Sequence, residues 1–89
     1  MIELLREAKN GRVREAFFDL AVCYEKGVGA RKNLRTAAEY YLKAAVLGDK
    51  QAFFEVGRCY RYGIGVDNDL RIAKIWLDRA KSLKVYEAR

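Results

Sequence analysis

Histidine and proline are absent from the 89 residues, and Thr36 and Ser82 are the single threonine and serine. Without histidine the chain lacks the commonest general base, the Cys–His and Ser–His nucleophile pairs, and the commonest zinc ligand. Carboxylate and lysine chemistry remain available, but no convergent set of such groups is visible. The sequence therefore reads as non-catalytic and free of cofactors. Two cysteines, Cys23 and Cys59, are too few for a zinc site. The lack of proline removes the strongest helix breaker, so helix is permitted throughout. No segment approaches the roughly 20 apolar residues of a membrane span. The opening MIELLREAKNG is too charged for a signal peptide. The expectation is a cytoplasmic protein that does not insert into membranes.

What is present is a chain able to build a core. Apolar residues make up 52%, and a length of 89 allows one domain, near the lower end of what folds alone. Lys and Arg outnumber Asp and Glu by 18 to 12, a formal charge of +6. The excess is spread evenly, +3 over residues 1–51 and +3 over 52–89. It reads as a solvated helical surface and not as a basic tail.

The strongest signal is internal. AFFDLAVCYEKGVG, from Ala16 to Gly29, returns as AFFEVGRCYRYGIG, from Ala52 to Gly65, and twelve of 36 positions match at that spacing. A period between about 20 and 50 residues marks a stacked repeat array. Ala16, Phe17, Leu20, Ala21 and Tyr24 fall on one stripe at helical spacing. Gly27 suits a left-handed helix end, and Asn33 and Asp69 suit N-caps. A second helix follows with Leu34, Ala37, Ala38, Tyr41 and Ala45 on its packing side, and Gly48 closes it. Small residues such as Ala21, Gly57, Ala37 and Ala44 let helices approach, while Tyr24, Tyr60 and Trp76 fill the gaps. Residues 2–10 match the second-type helix when Leu5 is set on Leu42 and Gly11 on Gly48. The reading is a single all-α domain of about two and a half repeats and five helices: an N-terminal capping helix over 2–10, repeat one over 16–51, and repeat two over 52–87 with an extended last helix. Cys23 and Cys59, at equal places in successive repeats, are expected too far apart to bridge.

The pattern A-x-x-x-L-G-x-x-Y-x-x-G-x-G, then Asn or Asp, then A-x-x-W/Y-Y/L-x-K/R-A, resembles the Sel-one-like repeat family of the tetratricopeptide class. Ala16, Leu20, Ala21, Tyr24, Gly27, Gly29, Asn33, Ala37, Tyr40, Tyr41, Lys43, Ala44, Ala45 and Gly48 carry it in the first copy. Ala52, Val56, Gly57, Tyr60, Gly63, Gly65, Val66, Asp69, Ala73, Trp76, Leu77, Arg79 and Ala80 carry it in the second. Ala21 stands where glycine is usual, and Lys81 replaces the second alanine of the A-A pair. The resemblance implies a right-handed α-α superhelix and a role as a protein-binding adaptor or scaffold.

In such arrays the first helix of each pair lines the concave side. There the candidates are Phe18, Val22, Glu25 and Lys26 in the first copy, and Phe54, Arg58, Arg61 and Tyr62 in the second. Two roles stay open for Phe18 and Phe54: a groove floor, or wedges between helix pairs. Arg58 and Arg61 point to an acidic or carboxylate-bearing partner peptide, held by charge-assisted bonds. No small-molecule substrate is expected. Self-association through the terminal helices is the main alternative. Nucleic-acid binding through Arg31, Lys32, Arg35, Arg71 and Lys74 is less favoured, because no recognised module accompanies those charges.

Overall fold

The computed structural model describes residues 12–82, and within them the chain forms four helices and no strand. They are α1 (Arg12–Lys26), α2 (Leu34–Val46), α3 (Lys50–Tyr62) and α4 (Leu70–Ser82). The expected fifth helix over 2–10, and the run-on of the last helix through 83–87, lie outside the described residues. None of the described helices is long and apolar enough to cross a membrane.

Helices α2, α3 and α4 each start where a short polar side chain replaces a missing intrahelical partner. Asn33 Oδ1 accepts the Thr36 amide at 3.0 Å. Asp69 Oδ1 accepts the amides of Arg71 at 3.0 Å and Ile72 at 3.2 Å. Asp49 does the same for Ala52 at 3.2 Å, a cap the sequence reading passed over. Helix α1 begins at Arg12, ahead of the expected Ala16. No breaker stands between Arg12 and Ala16, so these residues are helical as well.

The two α1–α2 and α3–α4 loops are built alike. Gly27 and Gly63 end their helices at φ 71° and 68°. Val28 then donates to the Cys23 carbonyl and Ile64 to the Cys59 carbonyl, at 3.0 and 2.9 Å. Asn33 and Asp69 reach back to Tyr24 and Tyr60 at 2.9 and 2.8 Å. Equal letters thus give equal backbone bonds 36 residues apart.

Packing runs α1 on α2, α2 on α3, and α3 on α4. The centre is a cluster of small residues, Ala21, Ala37, Ala44 and Ala52, with Tyr41, Val56 and Cys59 between them. At Gly57 a Cβ would lie only 2.6 Å from Leu77 Cγ, so glycine sets how closely α3 and α4 cross. Aromatic rings lock each hairpin. Tyr40 stacks on Phe17 at 5.7 Å and on Tyr24 at 5.8 Å, and Phe53 meets Trp76 at 5.6 Å. Lys43 lies over the Phe17 and Tyr40 rings, and its counterpart Arg79 over Phe53.

Three stripe residues depart from the expected burial. Ala16, Leu20 and Leu34 are exposed, whereas Ala52 and Val56, the counterparts of the first two, are buried. Among the described residues, only the second unit has a preceding helix, α2, packed against it. Both cysteines are free, Cys59 buried and Cys23 half-buried. Burial pushes the Cys59 thiol up to about 11.

The paired glycines Gly29 and Gly65 share φ 75° but not surroundings. A Cβ at Gly29 meets nothing within 4 Å, while one at Gly65 would strike the backbone carbonyl of Leu34 in the preceding unit. Gly29→Ala should cost only the left-handed penalty, about 1–2 kcal/mol. Gly65→Ala adds an inter-unit clash and should lower the urea midpoint and Tm at least twice as far. Equal losses would show that the two loops are energetically equivalent.

Candidate interaction surface

The first helices of the two units, α1 and α3, are joined by a polar cluster. Arg58 Nη2 donates to both Glu25 oxygens at 3.0 and 2.9 Å, and its Nε donates to Glu55 Oε1 at 2.8 Å. The Tyr41 hydroxyl on α2 donates to Glu25 Oε1 at 2.7 Å. One guanidinium therefore ties two carboxylates together, and the tie spans three helices. Glu55 is wholly buried, while the Arg58 and Glu25 side chains are about a quarter and a fifth exposed. A charge-assisted set in this setting is shielded from screening far better than a surface pair.

Around the cluster the candidate residues separate into two layers. Phe18, Val22 and Phe54 are half-buried and pack against the core, Phe18 meeting Tyr41 edge-on at 5.4 Å. Of the two roles considered for the phenylalanines, the packing role is seen for both, each partly buried against the core. Lys26, Arg61 and Tyr62 form the exposed layer, on the last turns of α1 and α3. Tyr62 is 64% exposed, with the Arg61 guanidinium 5.4 Å from its ring centre.

This placement moves the basic character of the surface. Arg58 is committed to Glu25 and Glu55, so the cations facing solvent are Lys26 and Arg61. Sequence reading missed Glu55 and took Tyr41 for packing alone. The available signal was a carboxylate inside the apolar stripe of Ala52, Val56 and Cys59, three residues before an arginine. The Glu25–Arg58 bond joins residues 33 apart and has no local signature.

Burial by itself would raise the Glu25 carboxyl. The hydrogen bonds from Tyr41 and Arg58, and then the Arg58 charge, outweigh it and hold the group below the usual carboxylate value. Burial, and next the bond to Glu25, pushes the Tyr41 phenol upward. A carboxyl with a depressed folded pKa stabilises the fold above its unfolded pKa, and that contribution is lost as pH falls through the folded value. Stability should therefore hold down to about pH 5 and decline below about pH 4, measured as urea midpoint against pH. Glu25→Gln should lower the neutral-pH midpoint and flatten the acid decline. An undiminished decline would exclude Glu25 as its source.

Comparison with known proteins agrees with this geometry. The Sel1 repeat model matches residues 15–49 and 51–85. A crystal structure of a Sel1 repeat protein from Oxalobacter formigenes superposes with a TM-score of 0.78 at 34% identity, over 90% of this chain and 59% of that one. A mouse protein, DAP3-binding cell death enhancer 1, is 44% identical over 43 residues, which are 48% of this chain and 8% of the mouse protein. The chain therefore spans less than two thirds of either relative. Sel1 repeats are protein-interaction scaffolds, and with both copies matched over most of its length, this chain belongs to the Sel1 repeat family.

Proposed function

We propose that this chain is a non-catalytic docking module that holds an acidic segment of a partner protein along α1 and α3. Phe18, Val22 and Phe54 supply the apolar floor. Lys26, Arg61 and Tyr62 supply the exposed contacts. The Glu25–Arg58–Glu55 cluster is the strut that fixes the spacing between the two helices. The observation that carries this reading is the exposed Arg61–Tyr62 pair beside a half-open aromatic floor. Aromatic and arginine side chains dominate interface energies, because they cover large areas at small entropic cost. An absence of histidine and the inert, raised thiol of Cys59 agree with a binding role.

The partner's acidity follows from which charges are free. Arg58 is neutralised within the fold, leaving Lys26 and Arg61 as the cations of this surface. Long-range attraction from the +6 chain favours the same partner sign.

Fluorescently labelled acidic peptides that also carry leucine or an aromatic residue, with charge-reversed versions as controls, test the assignment by polarisation titration. The Lys26→Glu/Arg61→Glu pair should weaken binding of the acidic set by about 2 kcal/mol, roughly 30-fold in Kd. Lys32→Glu, in the exposed α1–α2 loop, should leave it nearly unchanged. Equal binding by both charge classes, or indifference to the Lys26/Arg61 reversal, would overturn the reading. The mouse relative is named for binding DAP3, which makes DAP3 a suitable first whole protein for the same titration.

A further inference from the structure

The two helix pairs are built alike, and one matched groove differs where nothing in the fold requires a difference. Between α1 and α2 a groove of about 330 Å³ is lined by Phe17, Leu42, Lys43, Val46 and Leu47. Leu42 is 37% exposed and Val46 72%. The matching groove between α3 and α4 is lined by Phe53, Ile75, Asp78, Arg79 and Ser82. By the repeat, Phe53 stands for Phe17, Asp78 for Leu42, Arg79 for Lys43 and Ser82 for Val46. The ring contacts are kept in both pairs, Phe17 with Tyr40 and Phe53 with Trp76. A cation lies over the rings in both, Lys43 in one and Arg79 in the other. The second pair therefore closes with a carboxylate and a hydroxyl at the two outward positions. Asp78 there is exposed and pairs with exposed Lys74 at 3.3 Å. Closure does not call for leucine and valine at 42 and 46. Grouped with Phe17 and Leu47 they make one contiguous apolar patch, which water disfavours unless a partner covers it.

The rim of the patch is basic. Lys43 Nζ lies 5.7 Å from the Phe17 ring centre and 5.2 Å from that of Tyr40. Arg14 reaches Leu47 from α1, its Nη1 donating to the Leu47 carbonyl at 3.4 Å. Among the described residues, neither cation is paired with a carboxylate. Ring faces and a carbonyl leave both positive charges in place.

We propose that this groove docks an amphipathic helix of a partner protein, whose aliphatic residues one turn apart are flanked by Asp or Glu. Leu42 and Val46 are themselves one turn apart on α2, so the apolar floor runs along the helix axis. That shape matches a ridge of i, i+4 side chains. Charge complementarity selects the flanking residues, because two unpaired cations attract carboxylates and repel lysine or arginine. A second copy across a twofold axis would set this basic rim against itself. A bilayer, broad and flat, does not enter a cleft between two helices. The groove shares no residue with the α1–α3 docking surface, and the inference does not rest on that surface.

The test uses the full chain carrying Lys26→Ala/Arg61→Ala, which leaves the α1–α3 surface without its free cations. Labelled model helices with leucines at i and i+4 are flanked by glutamate in one set and by lysine in the other. The glutamate set should bind, and the lysine set should bind about tenfold more weakly. Leu42→Asp/Val46→Ser installs side chains that the second unit already carries at these places. It should weaken the glutamate set by about tenfold, with the far-ultraviolet circular dichroism unchanged. Lys43→Glu should reverse the preference in favour of the lysine set, which a merely structural lysine would not do. Should Leu42→Asp/Val46→Ser fail to fold, that reversal decides alone. Equal binding of the two sets, or binding indifferent to both variants, would overturn the proposal. So would sedimentation with phosphatidylserine vesicles that is lost in Leu42→Asp/Val46→Ser, which would assign the face to a membrane. A concentration-dependent dimer lost in the same variant would equally overturn it and assign the face to a second copy.

Discussion

A helix pair of this sequence has more apolar surface than it can fold inward, and the remainder is closed by the neighbouring pair. Helix α2 bears that constraint. It packs against α1 within its own unit and against α3 in the next, and its Ala37, Ala44 and Ala45 are almost fully buried. Small side chains on both flanks are the requirement, because two interfaces must share one helix at short interaxial distance. The repeat in the sequence is the record of this requirement. Alanine and glycine recur where backbones approach, and the aromatic residues recur where a wedge is needed between helices of one unit.

The polar cluster at Glu25, Arg58, Glu55 and Tyr41 is the second element that crosses units, and it differs in kind. Apolar contact between units is tolerant of small rotations. A guanidinium bonded to carboxylates on two helices is directional, and the Tyr41 hydroxyl adds a third anchor from α2. Together they fix the angle at which α1 and α3 meet. The same bonds remove Arg58 from the set of free cations, so geometry and surface charge are settled by one group.

What was legible in the sequence follows from range. The caps at Asn33 and Asp69, the left-handed ends at Gly27 and Gly63, and the 36-residue period are local signals, and the backbone bonds around them are as expected. Two things escaped. Leu20 and Ala16 look like core residues because the helical stripe does not say whether a neighbour stands beyond it. Glu55 looks like a solvated residue because its partner Arg58 is local but the burial of both depends on α2. The first kind of error concerns a face with no described neighbour, the second concerns a charge whose cost is met by a bond invisible in one dimension.

One more property follows from the aromatic distribution. The single tryptophan, Trp76, packs on Phe53 and belongs wholly to the second unit, while Tyr24, Tyr40 and Tyr41 belong to the first. Light absorbed at the red edge of the protein's spectrum is therefore taken up by one half of the molecule alone. Intrinsic emission distinguishes the melting of that half from the melting of its neighbour, with no label attached.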